Sequence, residues 1–167
     1  LLFLLNTDCA VSIDKSRRFL SDLTGGKLKI SRGMINKLCR EFSSKTETER
    51  KKIFADLLSC PVLHTDCTNA RVNGESAYVF VCASPDEEKV LYFAREKKGH
   101  EGVKGTVTED FRGILVRDHE ITFYRYGSAH QECLALVERY LKDSMESESS
   151  LTWNRRMREL LQRMIHY

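Results

Sequence analysis

The stretch VLHTDCTNARVNGESAYVFVCASPDEEKVLYFA, residues 62–94, decides the fold. Val62 to Thr68 is short, partly β-branched and follows Pro61, which suits a strand. Ala70 to Val72 leads into Asn73-Gly74, a dipeptide whose tolerance of positive φ makes it the strongest two-residue hairpin signal. Ser76 to Ala83 then reads as the return strand, and after the Ser84-Pro85-Asp86 turn, Lys89 to Ala94 reads as a third. Three strands in this order form an antiparallel meander. Downstream, a glycine-punctuated and mainly helical stretch from Lys98 to Glu109 precedes a short apolar strand, Gly113 to Val116, which ends at Arg117-Asp118. A buried strand after a helical crossover lies parallel to the first, so the sheet is mixed and the fold class is α/β. Ser128 to Leu134 is expected to be a fifth strand, Ala135 to Lys142 a helix, and Asp143 to Ser150 a polar loop. Leu151 to Tyr167 is amphipathic, and its stripe of Trp153, Met157, Leu160, Leu161 and Met164 is expected to pack into a core.

Upstream of Pro61 the period is helical. Phe19, Leu20 and Leu23 form one apolar run and Met34, Ile35, Leu38 and Phe42 another, separated by Gly25-Gly26. Ser31 is placed to cap the second helix, whose outward face carries Arg32, Lys37 and Arg40. A helix, a glycine turn and a basic helix outline a helix-turn-helix, in which those three side chains would contact DNA; a small helical bundle gives the same outline. Thr46-Glu47-Thr48-Glu49 has capping-box spacing for a third helix that buries Ile53, Phe54, Leu57 and Leu58 and stops before Pro61. The expected organisation is a helical segment over 1–60, for DNA contact or as a linker, and an α/β core over 61–167.

At 167 residues and 41% apolar composition, the chain can bury one core with an appendage. No apolar run approaches the ~20 residues of a membrane span, and no secretory signal pattern is present, so a soluble cytoplasmic protein with no membrane partner is expected. The six cysteines, Cys9, Cys39, Cys60, Cys67, Cys82 and Cys133, lack framework spacing and read as reduced, small hydrophobes. The net charge of +3 is uneven: Lys15 to Lys52 holds twelve Lys or Arg against four acids, a net +8, which leaves −5 elsewhere. That segment suits a polyanion, or is a solvated helical surface.

Asp66 lies within an apolar strand, where an unpaired buried charge costs several kcal/mol. Asp118 ends the strand expected to lie beside it. Two carboxylates facing each other across one inter-strand spacing of ~5 Å are hard oxygen ligands suited to magnesium or manganese. The chemistry is then two-metal phosphoryl transfer, with ions about 4 Å apart. The alternative is that Asp66 caps a turn and Asp118 begins a helix. The His64/Cys67 and His130/Cys133 pairs have a spacing that invites zinc, but residues i and i+3 of a strand point to opposite faces. His119 and Glu120 read as surface or supporting groups. There is no phosphate-binding glycine loop and no hydrolase triad motif.

In the motifs SRGMINKLCREFS (31–43), CPVLHTDCTNARVNG (60–74), YFAREKKGHEG (92–102), FRGILVRDHEITFYRYG (111–127), HQECLAL (130–136) and LTWNRRMRELLQRMIHY (151–167), the chain resembles transposases of the insertion sequence 66 family, from about Leu20 to Tyr167. The resemblance implies a ribonuclease H-like catalytic domain with Asp66 and Asp118 as its first two acids. It implies magnesium- or manganese-assisted cleavage and joining at transposable-element ends, with double-stranded DNA as partner and a bacterial cytoplasmic setting. Homo-oligomers assembled on DNA are implied by the wider class. The family's third acid is expected beyond Tyr167, in an Asn-rich segment, so the chain is expected to be a catalytically incomplete fragment. A second departure is Cys133-Leu134-Ala135-Leu136-Val137-Glu138-Arg139, where the family pattern Cys-x-Ala-His-x-x-Arg has histidine at position 136. A non-catalytic DNA-binding or assembly module is the alternative that these two departures support.

Overall fold

The computed structural model describes residues 1–86 and 88–165. The chain divides into two compact units, Leu1–Lys52 and Ile53–Tyr167.

The first unit is helical: α1 (Leu2–Thr7), α2 (Ile13–Leu23), α3 (Arg32–Lys45) and the opening turns of α4 (Glu47–Ser59). Ser12 and Ser31 cap α2 and α3, each hydroxyl accepting a backbone N–H three residues on; such caps satisfy donors that a helix start otherwise leaves open. Its small core is Leu2, Leu20 and Ile35, with Ile13, Ile30, Leu38 and Cys39 packed around it. Thr46 does not form the expected capping box. One residue separates α3 from α4, so Thr46 closes the last turn of α3, and its hydroxyl donates to the Phe42 and Ser43 carbonyls.

The second unit is built on a five-stranded mixed sheet of order β3-β2-β1-β4-β5, with β1 at Val62–Val72, β2 at Glu75–Ala83, β3 at Val90–Arg95, β4 at Ile114–Arg117 and β5 at Ala129–Glu132. β1, β2 and β3 pair antiparallel, while β4 and β5 run parallel to β1. This arrangement of strands and helices is consistent with a ribonuclease H-like fold. Asn73 and Gly74 make the hairpin with φ of 53° and 86°, the pair of positive values that a two-residue turn matched to strand twist requires.

The pleat sorts the side chains. Leu63, Thr65 and Cys67 of β1, Phe80 and Cys82 of β2, Leu91 of β3 and Leu115 of β4 share one face. That face carries the core, completed by Leu57 of α4, by Val103 of α5 (Gly99–Val103) and Val107 of α6 (Val107–Asp110), and by Phe111 and Phe123. The helical stretch expected from Lys98 to Glu109 is thus two short helices, broken at Gly105, whose φ is +71°. On the other face, His64, Asp66 and Thr68 are exposed.

α7 runs from Leu134 to Ser147, through most of the expected polar loop. Leu141 anchors it, and Asn154 of α8 (Trp153–Ile165) donates to Ser144 at 3.2 Å, so the polar turns are held by a neighbouring helix. The apolar stripe of α8 does not enter a core: Trp153, Met157, Leu160 and Met164 are between 44% and 68% exposed, because α8 turns buried Asn154 inward instead. The last two residues of the expected helix, 166 and 167, lie outside the described residues.

Candidate active site

β1 and β4 pair as Val62↔Ile114, Leu63↔Leu115 and His64↔Val116. Continued two residues, this register sets Asp66 opposite Asp118, just past the point where β4 ends. Both belong to the face away from the core, and both line one cavity of about 360 Å³. Val81, Ala83 and Val116 form its sheet wall, and Leu136 and Arg139 of α7 face them.

Asp66 is exposed. The expectation of a buried, partner-demanding carboxylate is therefore corrected: the pleat puts Leu63 and Thr65 inward and Asp66 outward. Each carboxylate has one oxygen fixed by a nearby backbone N–H. Asp66 Oδ1 accepts from Cys67 N at 2.7 Å, and Asp118 Oδ1 accepts from Glu120 N at 3.1 Å. These bonds narrow the rotamers of both side chains and leave the second oxygen of each without a hydrogen bond from the described residues.

The surroundings are charged. Lys98 bridges Glu120 at 2.6 Å, which raises the Lys98 pKa and lowers that of Glu120, chiefly through the hydrogen bond between them. Behind the sheet, burial pushes the Cys67 thiol up to about 11; the Lys98 charge opposes this and the Asp66, Glu120 and Asp118 carboxylates reinforce it. Cys67 is then a protonated thiol at neutral pH, with no nucleophile character.

Arg117, one residue before Asp118, points to the core side and is 2% exposed. It donates to the Asp118 carbonyl at 2.7 Å and to Glu132 Oε1 at 2.8 Å, with its guanidinium 3.5 Å over the Tyr124 ring. Tyr124 and His119 also bond to Glu132. Sequence reading passed over this network, although an arginine in pleat phase with Leu115 was its signal. Arg139 was also missed. It makes no ion pair among the described residues, and only the packing of α7 reveals that it shares a cavity with the two acids.

The residues expected to contact DNA lie on α3. Arg32 grips Asp14 through two hydrogen bonds, Lys37 stands 3.7 Å from Glu41, and Arg40 is exposed with no ion pair among the described residues. Their charge is therefore unequal in availability.

Asp66 and Asp118 suit a divalent cation as a partial ligand set: two hard oxygen donors, adjacent, on one face. No group of three or more His, Cys, Asp or Glu residues that could hold a metal ion occurs among the described residues. His64 and Cys67 are on opposite faces of β1, as strand geometry requires.

No curated protein and no solved structure matches the chain. The family model described as Transposase IS66 family matches residues 15–167, which takes in most of α2, all of α3, the whole sheet and both carboxylates. With nearly its full length matched in this way, the chain belongs to the IS66 family of transposases.

Proposed function

We propose that the Ile53–Tyr167 unit carries two of the acids of a phosphodiester-cleaving and strand-joining site, Asp66 and Asp118, and that the Leu1–Lys52 unit contacts duplex DNA. The observation that carries this reading is the β1/β4 register, which brings the two carboxylates to one cavity on the face of the sheet that the core does not use. Magnesium or manganese held there would supply Lewis-acid activation of water or a 3′-hydroxyl and charge neutralisation at the phosphate. The chain's own residues orient and select. The Cys67 and Glu120 amides fix one oxygen of each acid, and Val81, Ala83 and Val116 give the cavity an apolar wall. Arg139 offers a guanidinium fork of the shape that phosphate oxygens accept. In the first unit, Arg40 is the predicted DNA-contacting residue with its charge uncommitted, while Arg32 and Lys37 share theirs with Asp14 and Glu41.

A non-catalytic DNA-binding or assembly role is favoured by one observation: Leu136, at the position where the family pattern has histidine, lines this same cavity. Manganese titration of the protein with and without element-end duplex separates the two readings. Binding that either Asp66→Asn or Asp118→Asn abolishes supports the shared metal site. No binding to the wild type even with duplex present leaves the assembly module as the better description.

A further inference from the structure

We infer that Arg117 is a positioning residue for Asp118, holding the site acid in place from the opposite side of the sheet; this rests on the reading of Asp118 as a site acid. β4 ends at Arg117, so Asp118 lies just beyond the regular ladder. Its position is set instead by two side-chain bonds. The Arg117 guanidinium donates to the Asp118 carbonyl at 2.7 Å, and the Asp118 carboxylate accepts from Glu120 N at 3.1 Å. The residue is thus gripped at its main chain and at its side chain, which fixes the direction in which the second carboxylate oxygen points.

The guanidinium is itself immobilised. It is enclosed beneath the Tyr124 ring, 3.5 Å away, and its Nη1 also donates to Glu132 Oε1 at 2.8 Å. Glu132 is oriented in turn by the Tyr124 hydroxyl at 3.0 Å and by His119 at 3.2 Å. A buried arginine without such a partner would be strongly destabilising. Here the charge is balanced by Glu132, so the one donor directed at Asp118 acts as a geometric clamp. Both bonds leave the same nitrogen, Nη1, which the planar guanidinium holds against the Tyr124 ring; a lysine keeps the charge but has no planar group for that ring to hold at this position.

The test is backbone amide exchange and manganese-induced line broadening, residue by residue, in wild type and Arg117→Lys. The expected result is faster exchange at Glu120, on the order of ten-fold, with Leu63 and Phe80 unchanged, since local opening is separable from global unfolding. Manganese broadening should also weaken at Asp118 by about ten-fold, the usual lower range for loss of an outer-shell partner, more than it does at Asp66. A purely structural arginine would change both acids equally or neither. Unchanged Glu120 exchange in folded Arg117→Lys, or equal loss at both acids, overturns the proposal. If Arg117→Lys does not fold, Tyr124→Phe takes its place: it removes the hydroxyl that orients Glu132 and keeps the ring. It should speed Glu120 exchange by about three-fold while the core stays protected; no change overturns the proposal. If the wild type shows no manganese broadening, the metal-site reading fails, and Glu120 exchange alone decides the role of Arg117.

Discussion

Glu132 illustrates how one side chain links the stability of the second unit to pH. Burial alone would raise its carboxyl, but hydrogen bonds from His119 and Tyr124 and the Arg117 charge outweigh that and hold it below the ordinary value of 4.5. Glu120 is likewise held low by Lys98. A carboxyl whose folded pKa lies below its unfolded one contributes stability that is complete above the unfolded value and disappears as pH falls through the folded one. Thermal melts should therefore decline with acidification below about pH 4.5, the ordinary glutamate value. Glu132→Gln should flatten that decline and cost roughly 2 kcal/mol at pH 7 by weakening its bonds to Arg117; a variant with an unaltered acid profile would remove Glu132 from the linkage. Asp66 was legible from sequence as a polar residue inside a strand, and so was its place across from Asp118 at the end of the neighbouring strand. Its exposure was not, because an apolar run does not state which pleat phase faces the core.

At the scale of elements, Gly113 controls how β4 enters the sheet. A Cβ there would lie 2.5 Å from the Pro61 carbonyl oxygen and 2.6 Å from the Phe111 ring, while Ile114 N donates to that same carbonyl at 2.9 Å. Gly113→Ala forces β4 away from β1, and a destabilisation of about 1–3 kcal/mol is expected from overpacking of this kind. Denaturant unfolding measures it; a midpoint equal to that of wild type would mean that the loop absorbs the methyl. The strands were readable because turn residues punctuate them: Asn73-Gly74, Ser84-Pro85-Asp86 and Gly113 each mark an end. The helices beyond β5 were less so. Nothing local in Asp143–Ser147 forbids or demands a helix, and what holds it is tertiary: α7 packs against α8, with Asn154 donating to Ser144 ten residues away.

For the whole molecule, charge is apportioned by unit. The net +8 of Lys15–Lys52 falls wholly in the first compact unit, and the acids proposed to hold a metal fall in the second. If the first unit meets duplex DNA, Arg40→Ala should lower the slope of log affinity against log salt by about 0.9, one phosphate's worth of released counterion. Arg32→Ala should lower it less, since Asp14 already takes that charge. Equal slopes for wild type and Arg40→Ala would exclude α3 from the DNA surface. The division of the sheet into a core face and an open face has a consequence for how such a protein ages. Asp66 contributes little to the packing that keeps the second unit folded, so a copy that loses it stays folded. If Asp66 is a site acid and copies of the chain meet on DNA, such a copy would persist at normal abundance and occupy the places of active ones: inactivation by drift would then yield an inhibitor rather than a gap.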